Sequence, residues 1–271
     1  MSCIIGGYHA NYHTNKINYD HAMGIKKDGS ILIMGGCGPM GLGAVSYGLC
    51  LVDAPKRIVV TDVDQEKIDR ARICISEEDA KKKGFELYYV NTKTLENAEE
   101  YLLDLTKGHG YDDVFVYVPY RPVAEMGDRL LAFDGCMNFF AGPTDSQFKA
   151  EINLYNCHYT STHIMGTTGG NTQDLIEAID LSAKGVINPA VMVTHVGGID
   201  SIAEATCSLP NIPGGKKLTY TQFSMPLTAL TDFEELGKSD PFFAKLDDCI
   251  KKNRGLWNTE AEKMLFEQYL N

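Results

Sequence analysis

Residues 31–43 read Ile31-Leu32-Ile33-Met34-Gly35-Gly36-Cys37-Gly38-Pro39-Met40-Gly41-Leu42-Gly43. An apolar run passes directly into a glycine-rich turn, and a second apolar run follows it. Each glycine of the G-x-G-x-x-G pattern has a mechanical reason. Gly36 permits a tight turn out of a strand, Gly38 lets the backbone come close to a pyrophosphate, and Gly41 lets the following helix pack near the strand. The start of that helix, Pro39 and Met40 included, offers unpaired N–H groups and a positive dipole end to an anion. The pattern gains meaning from its context, a strand-like run before and an apolar helix after.

Working outward, residues 29–52 carry no charge and are long enough for a membrane span. Six glycines between Gly35 and Gly48, with Pro39 among them, interrupt the run, so a strand, a tight turn and a buried helix are the expected elements, and no membrane partner is expected. The next apolar run ends in Val59-Val60-Thr61-Asp62, which places Asp62 21 residues after Gly41. A carboxylate there can accept hydrogen bonds from both hydroxyls of an adenosine ribose and would repel a 2′-phosphate. Val63 and Asp64 supply no arginine for such a phosphate, so NAD is the expected cofactor rather than NADP. The plainer alternative is that Asp62 caps the helix that follows.

From residue 31 the chain alternates between the two periodicities. Strands are expected at 31–35, 57–61, 86–90, 114–118, 137–141 and 163–166, with helices near 40–52, 64–83, 95–107, 122–133 and 172–184. Six strands alternating with helices imply a parallel sheet covered on both faces, and right-handed crossovers give an α/β, doubly wound parallel sheet. Ligands of such sheets bind beyond the carboxyl ends of the strands. That adds Val118 and Pro119, Ala141 and Gly142, and Gly166 with Thr167 and Thr168 as candidates. Residues 1–22 read as helical, then turn-like. A mixed segment covers 190–222, and helices are expected near 240–252 and 259–270. The implied organisation is a nucleotide-binding domain over 1–225, with a lead-in helix, and a C-terminal helical extension over 226–271.

The totals narrow the function classes. Among 271 residues, 36 acidic against 25 basic give a net charge of -11, which repels a phosphate backbone on average, so nucleic acid is not an expected partner. The eight cysteines include no pair within three residues, which excludes zinc-ribbon and redox C-x-x-C motifs. Free thiols in a reducing cytoplasm are the simplest reading. Tyr8-His9 and Tyr12-His13 put two histidines four apart, as on one helix face; a packed aromatic face is favoured over a metal pair, because no third ligand is evident. His109 sits in a glycine loop, and His158, His163 and His195 read as satisfied structural histidines.

Taken together these motifs resemble the medium-chain dehydrogenase/reductase superfamily, the zinc alcohol and polyol dehydrogenases. Gly110-Tyr111-Asp112-Asp113-Val114 and Gly135-Cys136-Met137-Asn138-Phe139-Phe140-Ala141-Gly142 are similar to the family's fourth and fifth strands. Gly185-Val186-Ile187-Asn188-Pro189, Val193-Thr194-His195 and Gly214-Gly215-Lys216 follow in the family's order. Within it, the turn and the tail with Gly255-Leu256-Trp257 look most similar to the L-sorbose 1-phosphate reductase branch. The resemblance implies a Rossmann fold, a homodimer, and a small-molecule substrate such as a polyol or sugar phosphate. In the intact enzyme a secondary alcohol and a ketone would be interconverted by hydride transfer. It also implies a separate GroES-like domain carrying the zinc ligands ahead of this region. The chain is therefore expected to be the nucleotide-binding half, with zinc only in the domain it lacks, no metal site of its own and no catalytic residue to name. The rival readings are a non-catalytic NAD-binding module and a methyltransferase; the latter fits poorly, since Ile33-Met34 stand where an acid usually precedes the glycines.

Overall fold

The computed structural model describes residues 1–14 and 17–270. These divide into two compact units, Met1–Asn188 and Pro189–Asn271.

The first unit opens with α1 (Ser2–Ala10) and the short antiparallel pair β1 (Tyr12–Thr14) and β2 (His21–Met23). Of the turn-like stretch expected here, residues 15 and 16 lie outside the described residues. Then come β3 (Ser30–Met34), α2 (Pro39–Gly48), β4 (Arg57–Asp62), α3 (Gln65–Cys74), α4 (Glu77–Lys82) and β5 (Glu86–Asn91). The second half runs α5 (Ala98–Leu105), β6 (Tyr111–Val116), α6 (Arg121–Arg129), β7 (Leu131–Phe139), α7 (Leu154–Tyr159), β8 (His163–Met165) and α8 (Thr172–Ala183). The six long-range strands form one sheet in the order β5-β4-β3-β6-β7-β8, every pair parallel. This is the doubly wound arrangement, with its order reversing between β3 and β6. The uncharged stretch 29–52 is β3, the glycine turn and α2, and among the described residues no helix is long and apolar enough to cross a membrane.

Both faces are covered, which is why the strands read as continuous apolar runs. On one face Leu32, Met34, Val59, Val114, Val116 and Met137 pack with Leu102 of α5. On the other, Tyr8 of α1 stacks on Phe115 at 4.7 Å and meets Tyr47 of α2 edge-on at 5.1 Å. The expected helix over 64–83 is two helices. Ser76 interrupts it and caps α4 by accepting the Asp79 N–H, an alternative to the helical ladder that serine readily takes.

The expected helix face shared by His9 and His13 is absent, because α1 ends at Ala10 and Asn11 is extended. His9 Nδ1 meets Asp174 at 2.8 Å, whereas His13 lies on β1 in a buried polar cluster. There Asn11 Nδ2–H donates to Asp113 Oδ1 (2.7 Å), and the Lys26 N–H donates to Asp113 Oδ2 (2.9 Å). His13 Nε2 faces Asp113 Oδ2 at 3.3 Å and Nδ1 faces the Asp134 carbonyl at 2.9 Å. Both partners accept, so the doubly protonated ring is the form that bonds to both. Burial opposes that charge, but the hydrogen bond and charge of Asp113, with Asp134 behind, outweigh it and raise the His13 pKa above 6.5. A raised folded-state pKa contributes stability that is full below 6.5 and is lost as pH rises through the folded value. Denaturant midpoints of the wild type are therefore expected to fall as pH climbs from 6.5, and those of His13→Gln to fall less. Parallel pH profiles of the two proteins would refute this.

The second unit holds β9 (Val193–Gly198), α9 (Ile202–Cys207), β10 (Lys216–Tyr220), β11 (Thr228–Ala229), α10 (Phe233–Leu236), α11 (Pro241–Lys252) and α12 (Thr259–Leu270). Its sheet has the order β10-β9-β11. Val196, Tyr220, Phe223 and Met225 share one core with Phe233, Leu246, Trp257, Ala261 and Leu265. The 190–222 segment thus packs with the helical tail, within one unit.

Candidate functional site

The glycine turn lies where the sheet order reverses. Gly36 N–H donates to the Thr61 carbonyl (2.9 Å), which ties the turn to the end of β4. A Cβ on Gly36 would lie 2.6 Å from Ile33 Cγ2 and Val60 Cγ1, and one on Gly41 only 2.2 Å from the Gly36 carbonyl oxygen. A Cβ on Gly38, by contrast, would meet nothing within 4 Å. Two of the glycines, Gly36 and Gly41, are therefore demanded by the protein itself, whereas Gly38 faces open space. Gly38 is also the N-cap of α2, has no side-chain cap bond, and is followed by Pro39 at the first position. The helix start is left for an external acceptor.

Asp62, at the end of β4, reaches this turn. Its Oδ2 accepts the Cys37 N–H at 3.2 Å, and Oδ1 accepts those of Val63 (2.8 Å) and Asp64 (3.2 Å). The cap of α3 is Asp64, which accepts from Glu66 and Lys67 N–H. The helix-capping alternative for Asp62 is thus occupied by another residue. Burial, then the nearby Asp62 carboxylate, push the Cys37 thiol up to about 12, which disfavours its thiolate.

The other strand ends gather on the far side of the reversal. Tyr117 N–H donates to the Met34 carbonyl (2.9 Å), and Ala141 N–H to the Val116 carbonyl (2.9 Å). Gly35, at φ +68°, leaves room for Val118, whose Cγ1 would stand 2.4 Å from a Cβ there. Val118 therefore packs directly on the glycine turn, and Pro119 follows it. Ala141 and Gly142 follow β7, and Gly166 follows β8 beside the Phe139 carbonyl, 3.2 Å from a Cβ built on it. Met40 and Gly41 lie in the first turn of α2. The structure thus brings Gly36, Gly38, Pro39, Met40, Gly41, Asp62 and Val118 into one cradle and sets Pro119, Ala141, Gly142 and Gly166 at neighbouring strand ends. Sequence reasoning passed over Tyr117, whose hydroxyl is buried without a hydrogen-bond partner among the described residues; its place between Val116 and Val118 was the available signal.

These features fit a dinucleotide: backbone N–H groups for phosphates, an acid one strand away for a ribose, and apolar strand ends for a ring. Among the described residues no three His, Cys, Asp or Glu side chains are grouped to hold a metal ion, so no zinc step is assigned to them.

Comparison with known proteins agrees with the geometry. Residues 39–184 match the zinc-binding dehydrogenase family. A mannitol-1-phosphate 5-dehydrogenase of Aliivibrio fischeri is 49% identical over 99% of this chain and 64% of its own length. An L-sorbose 1-phosphate reductase of Klebsiella pneumoniae is 42% identical over 98% of this chain and 61% of its own. The chain thus spans less than two thirds of these curated relatives. Among solved structures, a protein described as a zinc-binding dehydrogenase, from Sinorhizobium meliloti and bound to NADP, superposes with a TM-score of 0.61 at 17% identity, over 81% of this chain and 57% of that one. A short chain alcohol dehydrogenase of Escherichia coli CFT073, complexed with NADH, gives 0.55 at 16% identity, over 72% and 52%.

Proposed function

The chain belongs to the zinc-binding dehydrogenase family, and from that premise we propose that its first unit is the NAD-binding half of a dehydrogenase or reductase. In the whole protein it would serve the interconversion of a secondary alcohol and a ketone on a polyol or sugar phosphate, the substrate kind named for the relatives above. The observation that carries the reading is the Asp62 carboxylate bonded to the glycine turn. The bound cofactor would give or take the hydride. The chain's own groups hold it: N–H groups of Gly38, Met40 and Gly41 toward the pyrophosphate, and Asp62 toward the adenosine ribose. Val118, Pro119, Ala141 and Gly142, with Gly166 beyond, would wall the ring and keep water from it. A 2′-phosphate would meet the Asp62 charge, which favours NAD over NADP.

Titration of the purified chain with NADH and NADPH tests this. Saturable binding with NADH the tighter ligand is expected; equal affinities would remove the NAD preference, and no binding of either would remove the cradle. Asp64→Ala is the control. Loss of its cap should lower the denaturant midpoint and leave the NADH affinity unchanged. A homodimer is proposed by family resemblance, and a monomer mass in light scattering would count against it.

A further inference from the structure

The end of α2 remote from the glycine turn borders a cleft that the dinucleotide reading leaves unused. The cleft measures about 520 Å³ and lies within the first unit, among the end of α1, the end of α2 and the connection from β2 to β3. That is the size of a small-molecule site. Part of its lining is apolar: Met23 is 64% exposed and Val52 98%, with Leu51 between Val52 and the helix. The polar part centres on Tyr47. Its hydroxyl donates to Glu177 Oε1 of α8 at 2.7 Å and lies 3.2 Å from His9 Nε2. Burial, then Glu177, push this hydroxyl well above its ordinary value, which favours its donating form. His9 Nδ1 is engaged by the buried Asp174 at 2.8 Å.

The charges at this cleft are unevenly matched. Lys26 Nζ stands 2.7 Å from Asp112, and Lys27 Nζ 3.1 Å from Asp53. Glu177 pairs with no lysine or arginine among the described residues; its Oε2 lies 3.5 Å from His9 Nε2, and its hydrogen bond comes from the Tyr47 hydroxyl. α2 has no basic residue in its last turn, so the negative end of its dipole, next to Leu51 and Val52, meets no cation from its own helix.

We propose that this cleft is a second small-molecule site, for an organic cation with an apolar body, of the alkylamine or arylalkylamine class. The ammonium would meet Glu177, and the carbon body would lie against Met23, Leu51 and Val52. A carboxylate ligand has the wrong charge for Glu177, and both lysines already hold carboxylates. A sugar phosphate has the wrong charge and no apolar surface for the rest of the lining. The site does not rest on the dinucleotide reading, because α2 is 10 residues long and its two ends are roughly 15 Å apart.

The test is a calorimetric titration of wild type, Glu177→Gln and Val52→Ser with phenethylamine, phenethyl alcohol and phenylacetate at neutral pH, together with the thermal midpoint of each unliganded protein. The alcohol keeps the carbon skeleton and replaces the ammonium by a hydroxyl. The wild type is expected to bind the amine saturably and about tenfold or more tighter than the alcohol or the carboxylate, the worth of one charge-assisted hydrogen bond. Glu177→Gln keeps an acceptor for Tyr47, so its midpoint should hold while its amine affinity falls to that of the alcohol. Val52→Ser should weaken amine and alcohol alike, by about threefold. Equal affinities of the wild type for amine and alcohol, or no saturation with millimolar amine, overturn the assignment. So does a Glu177→Gln protein that keeps both its midpoint and its full amine affinity. Should Glu177→Gln lower the midpoint, the wild-type comparison of amine with alcohol decides alone. NADH titration of the same proteins reads the cradle separately, and its failure leaves this site standing.

Discussion

Gly41→Ala is expected to lose NADH binding by on the order of 100-fold or more, the equivalent of one or two charge-assisted hydrogen bonds. It should also lower the thermal midpoint. The new Cβ would lie 2.2, 2.4 and 2.5 Å from the oxygen, Cα and carbonyl carbon of Gly36. All three are backbone atoms, so no side chain can rotate aside; the turn or the start of α2 must move. Overpacking of this kind costs about 1–3 kcal/mol, and the phosphate-facing N–H groups move with it. Gly38→Ala separates the two effects. Its Cβ meets nothing in the protein, so stability should hold while binding falls. A Gly41→Ala protein that binds NADH like the wild type would mean that the turn is not the cradle.

Asp62→Ala should erase the preference for NADH over NADPH. Two hydrogen bonds from ribose hydroxyls to a carboxylate are each worth about 1.5–3 kcal/mol, so NADH affinity should fall by at least tenfold. NADPH affinity should hold or improve, because the charge facing its 2′-phosphate is gone. Asp62 also holds the Cys37, Val63 and Asp64 N–H groups, and alanine loosens these as well. Asp62→Asn keeps an acceptor for them and removes only the charge, so it should narrow the coenzyme preference with the turn intact. If Asp62→Asn still rejects NADPH as strongly as the wild type, the discrimination lies elsewhere.

The glycine turn was legible because Gly36 and Gly41 answer local steric demands, and the six strands because burial on both faces leaves an unbroken apolar run. The ends were harder. β6 begins at Tyr111 rather than Val114, since Asp113 sits inside the sheet with its carboxylate held by Asn11, His13 and Lys26. Those partners are about a hundred residues away, and no local pattern announces them. β7 begins at Leu131 rather than Met137, through a register shift where Asp134 takes φ +59°. Helix periodicity alone could not show that Ser76 would stop α3 and restart the chain as α4. The orphaned state of the Tyr117 hydroxyl was invisible in principle, because want of a partner is a property of the folded surroundings.

The lead-in before the first strand has a consequence for anyone who would move this cradle to another protein. It is sewn to the sheet by side chains. Asn138 donates to the Gly7 carbonyl and to Asn11, Asn11 donates to Asp113, and the Thr14 N–H and hydroxyl donate to Asp134. A graft cut at Ser30, where the apolar pattern starts, would remove Asn11, His13 and Lys26 together and strip the Asp113 carboxylate of the three groups that hold it. The transplantable piece begins a helix earlier than its recognisable motif, and the residues that set that border are polar ones.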